Sequence, residues 1–171
     1  MGIWGIDGFA SDEALDWLAG LPTDAGTEPV RRALRRVVES SDPHLASGEA
    51  EIALAAAELA AALHGHPHPA LPDAARRWVE HVRAGGSGDA GEAGDDGALA
   101  MLVDATRALD LVVTSSALAE IWSQRADERL WRAALDDLRM RLATAGGSAP
   151  ATRLAGGCMR EVPARRAARA P

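Results

Sequence analysis

Lysine, asparagine and tyrosine are absent from this 171-residue chain, and glutamine and cysteine occur once each. The single cysteine, Cys158, permits no intrachain disulfide and no thiolate zinc cage. A reducing, cytoplasmic setting is therefore expected. No charge-free apolar run reaches the ~18 residues that a membrane span needs. The opening has neither the basic region nor the apolar run of a secretory leader. Met1-Gly2 suits myristoylation, but Ile6 stands where that motif needs Ser or Thr. Large aliphatic residues are scarce too. Leu, Ile, Val and Phe make up about a fifth of the chain, a share at the edge of disorder, while Ala occurs 38 times.

All 18 basic residues are arginine. Beside the missing Lys and Asn, this composition points to a GC-rich bacterial genome. The arginines then reflect codon usage rather than selection for a planar fork. A net charge of -7 disfavours non-specific nucleic-acid binding by the whole molecule.

Two stretches stand apart. Residues 85–97 read GGSGDAGEAGDDG, which predicts a flexible acidic loop. Residues 144–171 hold Ala, Arg, Gly and Pro without an apolar stripe, which predicts a disordered tail. The remainder of residues 1–143 is expected to form a single helical domain. It holds nearly all the large aliphatic residues and all five Trp.

Within this body the apolar period is helical. Ser11 can cap a first helix with Ala14, Leu15, Leu18 and Leu21 as its stripe and Trp17 at the border. Thr27-Glu28-Pro29 opens a second, where Val30, Ala33, Leu34, Val37 and Val38 share a face. A third helix, about Ser47 to Leu63, is small all round and is expected at the centre. The fourth starts at Pro72-Asp73 and should bury Leu71, Ala74, Ala75, Trp78, Val79 and Val82. The fifth uses Leu99, Leu102, Val103, Ala105, Leu109, Val112 and Val113. A break at Thr114-Ser115-Ser116 precedes Leu118, Ile121 and Trp122. Asp127 can cap a last helix with Leu130, Trp131, Ala134, Leu135, Leu138 and Leu142 on its face. The expected fold is all-α, an irregular antiparallel bundle of about six helices with a disordered acidic loop and C-terminal tail.

The opening, Met1-Gly2-Ile3-Trp4-Gly5-Ile6-Asp7-Gly8-Phe9-Ala10-Ser11-Asp12, continued by Asp16-Trp17, resembles that of a bacterial domain-of-unknown-function family, number 4259. Ser11 stands where that family commonly has Asn, and either residue caps a helix. The run Glu51 to Ala61, the block Leu118 to Trp122 and the block Leu135 to Leu142 are similar to later family segments. Ala117 replaces an acid common in the family. The resemblance covers about residues 1–143. It implies a helical bacterial domain and carries no catalytic residues over.

Several residues can support chemistry. Asp7, Asp12 and Asp16 cluster in sequence and can serve a divalent cation, although acids at a helix start also answer its dipole. His64, His66 and His68 alternate in His-Gly-His-Pro-His and can present imidazoles to a metal, with His44 or His81 nearby, or simply form a stiff polar turn. Ser115 and Ser116 lack a nucleophile elbow and read as caps. Glycines 2, 5 and 8 flank Trp4. Trp4, Phe9, Trp17, Trp78, Trp122 and Trp131 are expected as structural anchors. The tail carries Arg153, Arg160, Arg165, Arg166 and Arg169 against Glu161 and is the one stretch suited to nucleic acid, without an aromatic residue for stacking.

The expected function is a non-enzymatic cytoplasmic protein-interaction or regulatory domain, of adaptor or immunity type. No cofactor and no membrane are expected, and the protein partner is unidentified. The rival expectation is a metal-binding protein or metal-dependent enzyme using the N-terminal Asp cluster or the His64/His66/His68 turn.

Overall fold

The computed structural model describes residues 8–85 and 95–147. Seven helices follow one another there: α1 (Asp12–Ala19), α2 (Glu28–Val38), α3 (Ser47–Leu63), α4 (Asp73–Gly85), α5 (Asp95–Ser115), α6 (Ala117–Ser123) and α7 (Glu128–Gly147). No strand occurs among the described residues. Trp4, Asp7, Cys158 and the five tail arginines lie outside them, as does most of the acidic stretch between α4 and α5.

Helix α3 packs against all six others. Its alanines at 50, 53, 55, 56, 57, 60, 61 and 62 are buried around the whole helix. Side chains this small let neighbouring backbones approach closely, so position follows from composition. The helix stops at Gly65, whose φ of +90° excludes other residues without strain. The Gly65 N–H donates to the Ala62 carbonyl and the His66 N–H to that of Ala61, a Schellman closure.

Two contacts fix directions around α3. Leu45, just before α3, exchanges hydrogen bonds with the α5–α6 junction. Its N–H donates to Ser115 O at 2.9 Å and its carbonyl accepts from Ala117 N at 2.9 Å. The start of α3 therefore meets the end of α5, and the two run antiparallel. Trp131 in the first turn of α7 stacks on Trp122 of α6, which leaves the end of α5 beside the start of α3, while Arg141 near the end of α7 reaches Glu58 near the end of α3, so α3 and α7 run parallel. Helices α5 and α7 are antiparallel in consequence, joined across their flanks by Arg139 and Asp110 at 2.8 Å.

The break between α5 and α6 is built by Ser116. Its hydroxyl donates to the Val112 carbonyl and accepts from Ala119 N at 3.0 Å, closing one helix and capping the next. This separation raises the helix number from the expected six to seven among the described residues. Ser11 caps α1 as expected, accepting from Ala14 N at 3.2 Å. Thr27 makes no side-chain cap. The Asp127 carboxylate is drawn to Arg125 at 3.0 Å, and its backbone carbonyl accepts from Leu130 and Trp131 instead.

Other expectations need correction. Leu15, Leu99, Val103, Ile121 and Leu130 are exposed rather than core, and so is Ala74. Each buried stripe is narrower than its apolar period. In α5 the core takes Met101, Leu102, Ala105, Ala108, Leu109 and Val112, which leaves Leu99 and Val103 on the outer side. The helical ends also reach into both segments expected to be loose. Gly85 closes α4, α5 begins at Asp95, and α7 runs to Gly147, past the boundary expected at 143. Ala143 and Ala145 favour helix, and Ala145 is buried against the body.

Phe9, Trp78, Trp122 and Trp131 are buried, and Trp17 packs partly against the core. Trp78 donates its indole N–H to Pro22 O at 3.2 Å. Trp122 and Trp131 stack with centroids 5.6 Å apart and planes 4° from parallel. The Arg125 guanidinium sits 4.6 Å over the Trp122 ring. Trp131→Ala should cost ~3–5 kcal/mol by removing this buried bulk. Leu130→Ala, one residue away but exposed, should stay within ~0.5 kcal/mol in the same urea titration.

Candidate functional site

Glu51, Leu54 and Glu58 are spaced i, i+3, i+7 and so share one face of α3. Both acids are buried in a helix that is apolar beyond its first turn, Glu51 at 7 % exposure and Glu58 at 5 %, whereas Glu49 in that first turn faces Arg36 at the surface. A buried carboxylate needs a counter-charge or a proton. The two residues meet that requirement differently.

Glu58 is paired with Arg141 of α7. Both guanidinium Nη atoms donate to its oxygens, at 2.7 and 2.8 Å, in a fork-on-fork contact. Arg141 also donates to Asp137 at 2.7 Å and to the His66 carbonyl at 3.3 Å. Burial works against the charge on Arg141, but Glu58 first and Asp137 second hold it protonated and raise its pKa. The ion pair therefore ties the end of α3, the turn after it and the last half of α7 together.

Glu51 has no such partner. One of its oxygens, Oε1, is buried without a hydrogen bond. Burial pushes its carboxyl above the usual range. A hydrogen bond from Ser11 opposes that rise, and the charge of Glu13 adds to it.

A cavity of about 10 Å³ lies beside Glu58, lined by Gly8, Leu54, Glu58, His68, Ala134, Leu135 and Leu138. That is room for roughly one water molecule. Gly8 forms its rim by close approach. A Cβ there would stand 3.0 Å from Glu58 Cγ and 3.2 Å from the Leu54 carbonyl group. This glycine of the opening therefore has a packing reason that turn geometry alone does not supply.

The described sequence candidates form no common site. The His64 Nδ1–H donates to Ala60 O at 2.7 Å, and His68 Nδ1 accepts from Ala70 N at 3.1 Å. His66 contributes its carbonyl to Arg141. His44 lies 3.8 Å from Glu120, and His81 is exposed on α4. Asp12 and Asp16 are exposed on α1. Among the described residues, no three His, Cys, Asp or Glu side chains are grouped to hold a metal ion. Ser116 is buried in its capping bonds. Glu51, Glu58 and Arg141 carried no assigned role in the sequence. Their signal was two acids seven residues apart in a helix that, past Glu49, is otherwise apolar.

These features define a small all-α domain in which, among the described residues, a buried ion pair ties α3 to α7. The chain belongs to the family described as Domain of unknown function (DUF4259), whose profile matches residues 2–134. Arg141, one half of the ion pair, lies seven residues past that match. No curated protein matches the chain, and no solved structure does.

Glu58→Ala should destabilise the protein by ~3 kcal/mol or more, since it leaves Arg141 charged and largely buried. The double change Glu58→Leu with Arg141→Met should recover most of that loss in denaturant titration. For Glu51 the sign runs the other way. Its folded-state pKa is raised, so protonation favours the native state below the ordinary carboxyl pKa. That contribution is lost as pH rises through the folded-state pKa. Glu51→Gln should thus be about 1 kcal/mol more stable than wild type at pH 7. The gap should close as the pH is lowered towards 4, and equal stabilities at pH 7 would count against an unpaired charge there.

Proposed function

We propose that this domain works by binding another protein, as an adaptor or immunity-type partner binder in the bacterial cytoplasm. The observation that carries the reading is the outer stripe of α5. Asp96, Leu99, Val103, Arg107 and Asp110 follow one another at spacings of three and four residues, all exposed. Leu99 and Val103 are 49 % and 48 % exposed, side by side on a well-packed helix. Two large apolar groups one turn apart on a rigid element suit the i, i+4 anchors of helix-mediated recognition. Asp96 and the half-exposed Asp104 flank them at the start of the helix and Arg107 follows Val103, so the reading favours a partner with an apolar patch whose basic edge meets the Asp96–Asp104 end. The lone cysteine and the GC-rich composition support a reducing bacterial setting. No helix among the described residues is long and apolar enough to cross a membrane.

Affinity capture from the native host with wild type and with the pair Leu99→Asp, Val103→Asp tests this reading. A specific partner should be recovered by wild type and depleted at least about tenfold by the variant, as loss of an interface anchor requires. Equal recovery by both proteins overturns the assignment of the α5 strip.

A further inference from the structure

The outer strip of α5 has a candidate cover within the chain itself. Helix α5 begins at the end of the bundle where α7 finishes, because the two are antiparallel and joined by Arg139 and Asp110. Residues 148–171 continue from α7 at that same end. The apolar pair Leu99 and Val103 sits on the first turns of α5, close to this exit. The strip from Asp96 to Arg107 is about 17 Å long at helical rise. Twenty-four residues can span several times that distance when extended. Reach is therefore no obstacle.

Chemistry also matches. Residues 148–171 carry Arg153, Arg160, Arg165, Arg166 and Arg169 against Glu161 alone, and their larger apolar residues are Leu154, Cys158, Met159 and Val162. The strip offers two apolar groups with Asp96 on one side and Asp104 beside them, while its own cation, Arg107, stands one turn beyond Val103, so the match in charge is to the Asp96–Asp104 end. The remaining acids of the chain give the rest of the molecule an excess negative charge. A tethered segment also meets its site at an effective concentration in the millimolar range, so a contact too weak to hold a free peptide can still be populated.

We propose that residues 148–171 dock across Leu99 and Val103 on α5. The apolar residues Leu154 to Val162 cover the pair, and the arginines face the acids at its edge. The biological meaning rests on the partner-binding reading above, since a partner using the same strip must displace this segment. The docking itself is independent of any partner and is salt-sensitive, because part of it is charge attraction at the surface.

The native Cys158 lets the full chain be tested without an added cysteine. A nitroxide attached there, on isotope-labelled protein, should broaden the amides of residues 96–107 selectively. The broadening should fall in high salt and be lost with Leu99→Asp, Val103→Asp, an exposed pair whose replacement leaves the core intact. Broadening that is absent, or centred on other helices, overturns the proposal. A mixture of nitroxide-bearing unlabelled chain with isotope-labelled Cys158→Ser chain separates a second copy from the chain's own segment. Broadening of α5 in that mixture overturns docking within one chain. Selective broadening in the single-chain sample upholds the docking even where affinity capture finds no partner, and that failure then falls on the partner reading alone.

Discussion

Helix α3 is surrounded by six others, and the rest of the architecture follows from that enclosure. An enclosed helix of ordinary side-chain volume would hold its neighbours ~8–10 Å away on every side. Alanine on all faces reduces that volume and lets short helices such as α1 and α6 reach a shared core. The same residue has a cost. Alanine buries little apolar area, so each contact contributes little hydrophobic stabilisation. The tryptophans answer this shortage from the surrounding helices: Trp78 on α4, and the stacked Trp122 and Trp131 on α6 and α7.

Enclosure also raises the stakes of the two acids on α3. Glu58 is held by a guanidinium with two donors directed at it, and two further donors of Arg141 go to Asp137 and the His66 carbonyl. Such a pair adds little net stability over an apolar replacement but penalises any packing that separates its members. In a core of near-identical alanines, one turn of α3 resembles the next, and a slide of α7 along it would change few apolar contacts. The ion pair makes that slide costly. Glu51, with one oxygen left unpaired, gives no such register and lowers stability where it is charged.

Much of the helix order was legible in the sequence, because caps and punctuation are local. Ser11, Pro29, Gly65 and Ser116 mark their boundaries through hydrogen bonds or backbone angles within a few residues. The exposure of Leu99, Val103 and Leu130 was not legible. Periodicity shows that a helix has an apolar side but not how much of that side its neighbours cover, and α5 turns only the Leu102, Ala105, Leu109 and Val112 side inward. The candidate site was less legible still. The histidine and aspartate clusters attracted attention as sequence neighbours, yet the pair that the core closes on joins positions 58 and 141. Arg141 stands among many arginines and has no local mark. Only the odd placement of Glu51 and Glu58 in an alanine helix pointed there.

The bridge between Leu45 and Ser116 has a kinetic meaning. Its two hydrogen bonds join Leu45 to residues 70 and 72 positions further on. Closing a loop of that length costs ~4 kcal/mol or more in chain entropy, while two backbone hydrogen bonds return a net ~2 kcal/mol. The bridge therefore cannot begin folding. It forms once α3 and α5 already lie side by side, and then it fixes where α6 departs. It is a latch fastened after assembly, and it fixes the start of α6 against the entry to α3.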